Sequence, residues 1–291
     1  MSNPAFESFV APARNKSELW RTALGLLVGL VLYAVGAWAV IVGGGLILAD
    51  VLSPNDIARG ATPLGVFLLL FHFIAMAAAV ALITRVIHKR PVKTLFGDMS
   101  RLMPDFLSMA GLCLAIAVLA SVIIVIFVDV DWKISLSTWL LFLPLALPLI
   151  LLQTGAEEMV FRGYLQQQLG ARFGTGAYAA WMIVPAVLFA LGHSDPTSQG
   201  ANVWAVLAIT FLFSLITADI TARSGSLGAA WGLHFVNNLQ ALLLFSLMGP
   251  LNGLSLGSIG ISPSSPSALP LFAGDALALC LIYLLWRRRH G

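Results

Sequence analysis

Charged side chains are scarce in this chain of 291 residues. Asp, Glu, Lys and Arg together make up 10% of it, against about 25% in ordinary soluble domains. Hydrophobic residues make up 59%, and the mean hydropathy is +0.93. A soluble protein of this length could not cover its surface with so few charges, so the composition excludes a soluble globular domain. It predicts an all-α fold, a polytopic bundle of membrane-spanning helices.

Cysteine is nearly absent as well. Cys113 and Cys280 both lie inside apolar runs, which argues against a disulfide framework and a cysteine-based zinc cluster. No basic patch is interleaved with aromatic residues, so we expect no nucleic acid among the partners. Residues 1–22 contain no short apolar segment followed by a small-residue cleavage site. We therefore expect no signal peptide, which fits a protein of the bacterial inner membrane.

Eight apolar segments approach the ~20 residues that a helix needs to span a bilayer. They run about 23–48, 64–87, 105–128, 137–157, 176–193, 203–221, 227–248 and 267–286. The sequence thus predicts about eight transmembrane helices in four regions. These are a cytoplasmic N-terminal segment (1–22), the first three helices (23–136), a core of helices four to seven (137–248), and a loop with the last helix and a basic tail (249–291).

Lysine and arginine are distributed unequally between the two sides of these segments. Thirteen fall on one side and two on the other, when Arg162 inside the fourth segment is set aside. Cytoplasmic loops carry the excess of positive charge in membrane proteins. We therefore expect both termini in the cytoplasm, as an even number of spans requires.

Glu157, Glu158 and Arg162 stand out within the apolar spans. Glu158 and Arg162 are four residues apart, so they lie on one helix face and can form an ion pair. One arginine accounts for one carboxylate only. Two neighbouring carboxylates in a low dielectric resist double ionisation, which is one way to obtain a general base near neutral pH. We therefore predict that Glu157 is the base and that Glu158 is the partner of the arginine.

Two later segments carry histidines that could share a cavity with these carboxylates. Phe189 and His193 are four residues apart at the end of the fifth segment, and His234 and Asn238 are four apart in the seventh. Helix rise over a hairpin that turns near 173–176 brings these groups towards one level in the inner half of the bilayer. We expect their cavity to open to the cytoplasm.

Several other polar residues receive a simpler interpretation. Gln166, Gln167 and Gln168 lie near the tip of the hairpin, and we expect them to stand in cytoplasmic water. His72 lies between two phenylalanines without an acidic neighbour, and we interpret it as a structural residue. Asp219 and Asp275 are lone acids. We interpret Asp219 as solvated or paired within its own helix.

Three motifs in order, Glu157-Glu158-x-x-x-Arg162, Phe189-x-x-x-His193 and His234-x-x-x-Asn238, resemble the CPBP family of intramembrane proteases. This family includes the type II CAAX prenyl endopeptidases (Ras-converting enzymes) and the bacterial Abi proteins. The resemblance covers residues 137–248. It implies a glutamate-dependent peptidase whose substrate is a membrane-anchored or lipidated peptide or protein, with membrane lipids as its surroundings.

The resemblance also implies individual roles for these residues. Glu157 and His193 would activate the hydrolytic water, and His234 and Asn238 would hold the oxyanion. Arg162 would fix Glu158, and Phe189 would line the site. No cofactor is implied, and no nucleophilic serine or cysteine is required.

Two alternatives stay open at this point. Glu157, His193 and His234 offer ligand types that catalytic zinc uses, although the helix motif His-Glu-x-x-His is absent. A transporter, or a non-enzymatic membrane scaffold or immunity factor, could use the same polar cluster as a proton or ion site. The prolines Pro144, Pro148 and Pro185 could break helices as in transporters, but the sequence shows no paired half-repeat.

Overall fold

The structure, a computed structural model, describes residues 3–290 and is almost entirely helical. The first helices are α1 (Pro4–Val10), α2 (Leu19–Ile47), α3 (Pro54–Arg59), α4 (Pro63–Phe71), α5 (Phe73–Val86) and α6 (Met99–Phe127). They are followed by α7 (Leu136–Glu158), α8 (Gln167–Phe173), α9 (Val184–Gly192), α10 (Pro196–Gln199), α11 (Val203–Ser224), α12 (Gly228–Leu239) and α13 (Leu269–His290). Short 3₁₀ helices cover Ala11–Lys16, Val92–Phe96, Gly200–Asn202 and Pro266–Ala268.

Three π-helical segments join or extend the α-helices. They are Met159–Gln166, between α7 and α8; Ala179–Ile183, which leads into α9; and Gln240–Leu244, which continues α12. Each contains more residues per turn than an α-helix, and such segments occur frequently at functional sites. All three adjoin a helix that carries one of the predicted site motifs.

Six helical stretches within residues 3–290 are long and apolar enough to cross a membrane. They are Leu19–Ile47, Pro63–Val86, Met99–Phe127, Leu136–Phe173, Pro196–Ser224 and Pro266–Arg289. The predicted polytopic helical bundle is thereby confirmed. The predicted fifth and seventh segments are the shorter elements. Ala179–Gly192 spans only about 21 Å at 1.5 Å per residue, and α12 with its π extension is likewise short.

The connections gather at two ends of the bundle. At one end, which we call the basic end, lie residues 3–18, 87–98, 173–178 and 224–228. The backbone amide of Asp98 donates to the Gly225 carbonyl there, and the Asn3 side chain donates to the Ala222 carbonyl. At the opposite end, the loop end, the Asn202 amide donates to the Pro263 carbonyl and Leu251 pairs with Arg59 through the backbone.

The loop end is closed by a small three-stranded sheet. Its strands are β1 (Asp131–Trp132), β2 (Phe245–Ser246) and β3 (Gly257–Ser258), in the order β1-β3-β2. β3 pairs antiparallel with β1 and parallel with β2. The sheet ties the connection after α6 to the long loop that precedes α13.

The N-terminal segment covers the basic end, because Phe6, Phe9 and Val10 are buried there. Beneath them lie Gln166, Gln167 and Gln168, each with no exposed surface. The prediction that these glutamines stand in water is therefore wrong. The amides of Gln166 and Gln167 donate to the Ala218 and Thr94 carbonyls, and the amide of Gln168 contacts Nδ1 of His88 at 2.8 Å. We call these three residues the glutamine layer.

Two glycines let the site helices approach one another closely. A Cβ at Gly155 would lie 2.7 Å from the Trp231 ring, so α7 lies directly against α12 at that point. A Cβ at Gly232 would lie 2.5 Å from the Phe106 carbonyl oxygen of α6. Since no side chain fits in either space, α12 is held between α6 and α7. This contact sets the position of the residues that follow on α12.

Candidate active site

Glu157 and Glu158 lie at the end of α7, where the chain passes into the π-helical segment that carries Arg162. Glu158 and Arg162 are almost completely buried, and Nη1 of Arg162 donates to Oε1 of Glu158 at 2.9 Å. The spacing of four residues in the sequence predicted this pairing. A buried charge without a partner would be costly, so each member of the pair requires the other.

Arg162 is fixed from two further directions. Its Nη2 atom donates to Ser214 Oγ at 3.1 Å and to Thr217 Oγ1, both on α11. The guanidinium also lies over the Phe189 ring, 4.8 Å from the ring centroid. Phe189 is buried, so the contact is desolvated, which strengthens a cation–π interaction. Arg162 is thus a rigid support for Glu158.

His234 joins the two carboxylates. Its Nδ1 atom is 2.8 Å from Glu158 Oε1, and its Nε2 atom is 3.3 Å from Glu157 Oε2. A carboxylate oxygen only accepts when ionised, so the proton of the shorter contact belongs to Nδ1. The side chain is buried, and its edge contacts the rings of Phe189 and Phe213.

The four groups form a row of alternating charge. Arg162 balances Glu158, and one additional proton on Glu157 or His234 makes the cluster electrically neutral. Neutrality matters because unbalanced charge is expensive in a low dielectric. A proton that moves between Nε2 of His234 and Glu157 changes neither the net charge nor the hydrogen bond to Glu158.

Glu157 is the less constrained carboxylate. Its buried Oε2 atom faces Nε2 of His234 at 3.3 Å, and the side chain makes no shorter contact with a hydrogen-bond donor among the described residues. Glu157 lines a large, mainly apolar cavity of about 890 Å³. A carboxylate beside a cavity can accept a proton from a water molecule placed there.

His193 and Asn238 face the same cavity from α9 and α12. His193 stacks on the Phe189 ring at 4.3 Å between centroids, and its Nδ1 atom is 2.8 Å from the Phe189 carbonyl oxygen. A carbonyl only accepts, so Nδ1 carries the proton and Nε2 is free to accept. Asn238 donates to Gln153 Oε1 at 2.7 Å, which leaves its second amide hydrogen available.

The apolar cavity runs between α2, α5, α7 and α9 and opens sideways. Leu30 of α2 and Leu188 of α9 both line it and are exposed, at 62% and 43%. Towards the basic end it stops at Tyr164, which is completely buried. The glutamine layer and α1 lie beyond. The cavity is therefore covered at the basic end and open between α2 and α9, and the predicted opening towards the cytoplasm stays a prediction.

A second, smaller cavity of about 120 Å³ reaches the same site from the other side. It shares Phe189, His193 and Asn238 with the large cavity, and it adds His234. Three further polar side chains line it: Thr210, Asn237 and Asp275. We call it the polar cavity.

The sequence interpretation missed several residues around the site. The Tyr33 hydroxyl is 2.9 Å from His72 Nε2, and both side chains line the apolar cavity together with Glu157. The interpretation of His72 as structural stays a prediction. Ser214 and Thr217 escaped notice because a hydroxyl inside an apolar helix gives no spacing signal. Asp219 accepts from Arg223 at 2.6 Å, the pairing within its own helix that we expected.

The described residues contain no group of three His, Cys, Asp or Glu side chains arranged to hold a metal ion. Both nitrogens of His234 are turned to carboxylates, and His193 points its protonated nitrogen at a carbonyl. The zinc alternative therefore has no preformed ligand set here. The prediction that no cofactor is needed stays a prediction.

Comparison with known proteins agrees with the motifs. A family model described as type II CAAX prenyl endopeptidase Rce1-like matches residues 137–240. The uncharacterized protein YyaK of Bacillus subtilis (strain 168) is 29% identical over 244 residues, which are 80% of this chain and 80% of that protein. All the residues of the charged cluster lie within the matched range. The chain is therefore a multi-pass integral membrane protein whose residues 137–240 are similar to the type II CAAX prenyl endopeptidase Rce1-like family.

Proposed function

We propose that this protein is a glutamate-dependent endopeptidase that hydrolyses a peptide bond of a membrane-associated substrate, of the prenylated CAAX type. One observation carries the proposal. Glu157 lies at the wall of an apolar cavity and is held only by the longer 3.3 Å contact to His234, while the neighbouring Glu158 is fixed by Arg162 and His234 at 2.9 and 2.8 Å. A binding cavity of a few hundred to about 1,000 Å³ is the usual size for a ligand site.

The reaction begins with water between Glu157 and His193. Glu157 accepts a proton from this water, and the resulting hydroxide attacks the scissile carbonyl carbon. Nε2 of His193, which is free to accept, orients the water. The proton held by Glu157 then passes to the leaving amine, so the carboxylate is regenerated.

The oxyanion is stabilised by Asn238 and His234. Asn238 retains one amide hydrogen after its bond to Gln153, and preorganised donors of this kind typically contribute 10²–10³-fold in rate. Nε2 of His234 lies beside Glu157 and, in the protonated ring, donates to the oxyanion from that position. Its Nδ1–H stays on Glu158, which keeps the ring in one orientation.

The lateral opening of the apolar cavity favours a substrate that arrives through the lipid. A prenyl chain is apolar and would occupy the carbon-lined part of the cavity, while the peptide bond lies at Glu157. The positive-inside rule, applied to the basic end, supports an anchor in the cytoplasmic leaflet. The description of the matched family, type II CAAX prenyl endopeptidase, supports the same substrate class.

The test is cleavage of matched prenylated and unmodified peptides by the purified full-length protein in nanodiscs. Glu157→Gln should abolish cleavage and leave the melting temperature within about 1 °C, because a neutral amide fits the same place. Glu158→Gln should abolish cleavage and also cost about 3–5 kcal/mol of stability, because it leaves Arg162 buried and unbalanced.

A chelator-treated sample separates the proposal from the zinc alternative. Activity that survives the chelator and disappears in Glu157→Gln supports the glutamate mechanism. If Glu157→Gln cleaves normally, the assignment of the base is wrong. Cleavage of unmodified peptides at the same kcat/KM would overturn the prenylated substrate class.

A further inference from the structure

From the geometry of the polar cavity, we infer that hydrolytic water reaches the site through it, with Asp275 at its entrance. This inference rests on the proposed hydrolysis. A lipid-facing enzyme needs two routes, since a substrate that fills the apolar cavity displaces the water on that side. The two cavities meet at His193 and Asn238, between which the peptide bond and the water must be brought together.

The polar cavity has the size and the lining that water requires. Its volume of about 120 Å³ accommodates about four water molecules, at about 30 Å³ each. A buried water also needs two to four polar partners. Thr210, Asn237 and Asp275 supply these partners on the outer part of the cavity, and the two histidines supply them at the site.

Water in the polar cavity would explain why an aspartate, Asp275, lies within the apolar helix α13. It lies six residues after Leu269, the first residue of α13, so it is about 9 Å below the loop end of the bundle. The side chain is exposed and makes no hydrogen bond or ion pair with the residues that the structure describes. An ionisable group at this depth is costly unless it faces a wet cavity. The polar cavity is the one that it lines.

Thr210 marks the facing wall of the same entrance. It lies seven residues after the start of α11, about 10 Å below the loop end. Its hydroxyl donates to the Val206 carbonyl at 2.7 Å, so its lone pairs remain free to accept from water. α11 and α13 therefore present polar atoms to each other at equal depth, and the path from there leads to Asn237 and His234. α13, which carries Asp275, lies outside the matched range of residues 137–240, whereas Thr210 lies within it.

The first experiment measures whether water reaches position 275, and it does not depend on enzymatic activity. Asp275→Cys and Leu277→Cys are made in a background in which Cys113 and Cys280 are alanine, and a charged methanethiosulfonate reagent is added to intact membranes. Such reagents attack the thiolate, which forms in water and not in lipid. Leu277 is two residues away on α13 and 71% exposed on the lipid side, so it is the matched control. We expect Asp275→Cys to react and Leu277→Cys to stay unmodified. Equal, slow modification of both would overturn the inference.

The second arm measures the supply of water to the reaction. Asp275→Leu should lower kcat by ~10-fold or more and leave KM unchanged, because the apolar cavity that binds the substrate is untouched. Asp275→Asn keeps a polar side chain of the same size and should restore most of kcat. If Asp275→Cys is labelled but Asp275→Leu has a normal kcat, then water reaches Asp275 but the reaction does not depend on it, and the inferred role of Asp275 is refuted. An inactive wild-type protein would refute the proposed function, while the labelling would still decide whether the cavity is wet.

Discussion

At the scale of single residues, Arg162 determines the arrangement of the charged cluster. It is 1% exposed and makes three kinds of contact: an ion pair, hydrogen bonds to two hydroxyl groups and a cation–π contact. Through Glu158 it also fixes the ring of His234. A substitution of a residue that holds Arg162 from α11 should therefore alter the position of His234 through the hydrogen bonds that link them, although the substituted residue does not touch the substrate.

Thr217→Val tests this chain of contacts. The valine has nearly the same shape but leaves one guanidinium N–H unpaired, so we expect a loss of about 1–3 kcal/mol in stability and a lower kcat. Thr221→Val is the matched control, because Thr221 is equally buried on α11 and its hydroxyl has no partner among the described residues. Thermal melting and peptide cleavage of both variants give the result. Equal effects of the two variants would show that Arg162 does not depend on Thr217.

At the scale of elements, the N-terminal segment and the glutamine layer close the basic end. His88, beyond the end of the span Pro63–Val86, lies at the centre of this closure. Its Nδ1 atom is 3.0 Å from the Lys16 carbonyl oxygen, and its Nε2 atom is 2.8 Å from the Tyr164 hydroxyl. In the neutral ring Nδ1 donates to Lys16 and Nε2 accepts from Tyr164, so both contacts are satisfied without a charge. The Gln168 amide, 2.8 Å from the same Nδ1, then turns its oxygen towards the ring.

The closure should weaken in acid. Burial lowers the pKa of His88 below its ordinary value, so the folded chain favours the neutral ring. The unfolded chain takes up the proton first as the pH falls below ~6.5, and the free energy of unfolding must decrease there. The stabilisation is thus complete above this pH and is lost below it.

The measurement is the melting temperature between about pH 7.5 and pH 5.5, for the wild type and for His88→Gln. Glutamine can donate and accept at the same place but does not titrate in this range. We expect the wild type to lose more stability than the variant over this interval. The same loss in both proteins would assign the acid sensitivity to other groups.

How much of this could be read from the sequence differs between the elements. Spacing within one helix was sufficient for the pairing of Glu158 with Arg162, and hydropathy was sufficient for the helical bundle. The burial of Gln166, Gln167 and Gln168 depends on where a separate, distant segment folds, and local polarity pointed the other way. The pairing of Tyr33 with His72 joins two helices that carry no motif, so no spacing rule applies to it.

At the scale of the whole molecule, the two ends of the bundle differ in charge and covering. The basic end collects the N-terminal segment and the turns rich in Lys and Arg, whereas the small β-sheet closes the loop end. The positive-inside rule predicts that the basic end lies in the cytoplasm. The entrance marked by Asp275 then faces the opposite side of the membrane from the anchor of the proposed substrate.

This orientation can be checked with single cysteines in the same cysteine-free background. Lys93→Cys lies at the basic end and Thr197→Cys at the loop end, and both native side chains are exposed. An impermeant maleimide should label Thr197→Cys in intact cells and Lys93→Cys only after the membrane is permeabilised. Labelling in the reverse order would invert the orientation that the charge distribution predicts.

The three π-helical segments have a consequence for how relatives of this chain should be aligned. Each holds one residue more than an α-helical path of the same rise would need, and each adjoins a helix of the site. Removing one residue from Met159–Gln166 would leave an α-helical path of the same rise, so the side chains beyond the gap would keep their direction. The same deletion in a regular α-helix would turn all later side chains by about 100°, one residue step. Alignment gaps of a single position should therefore occur inside these segments more readily than elsewhere in the site helices.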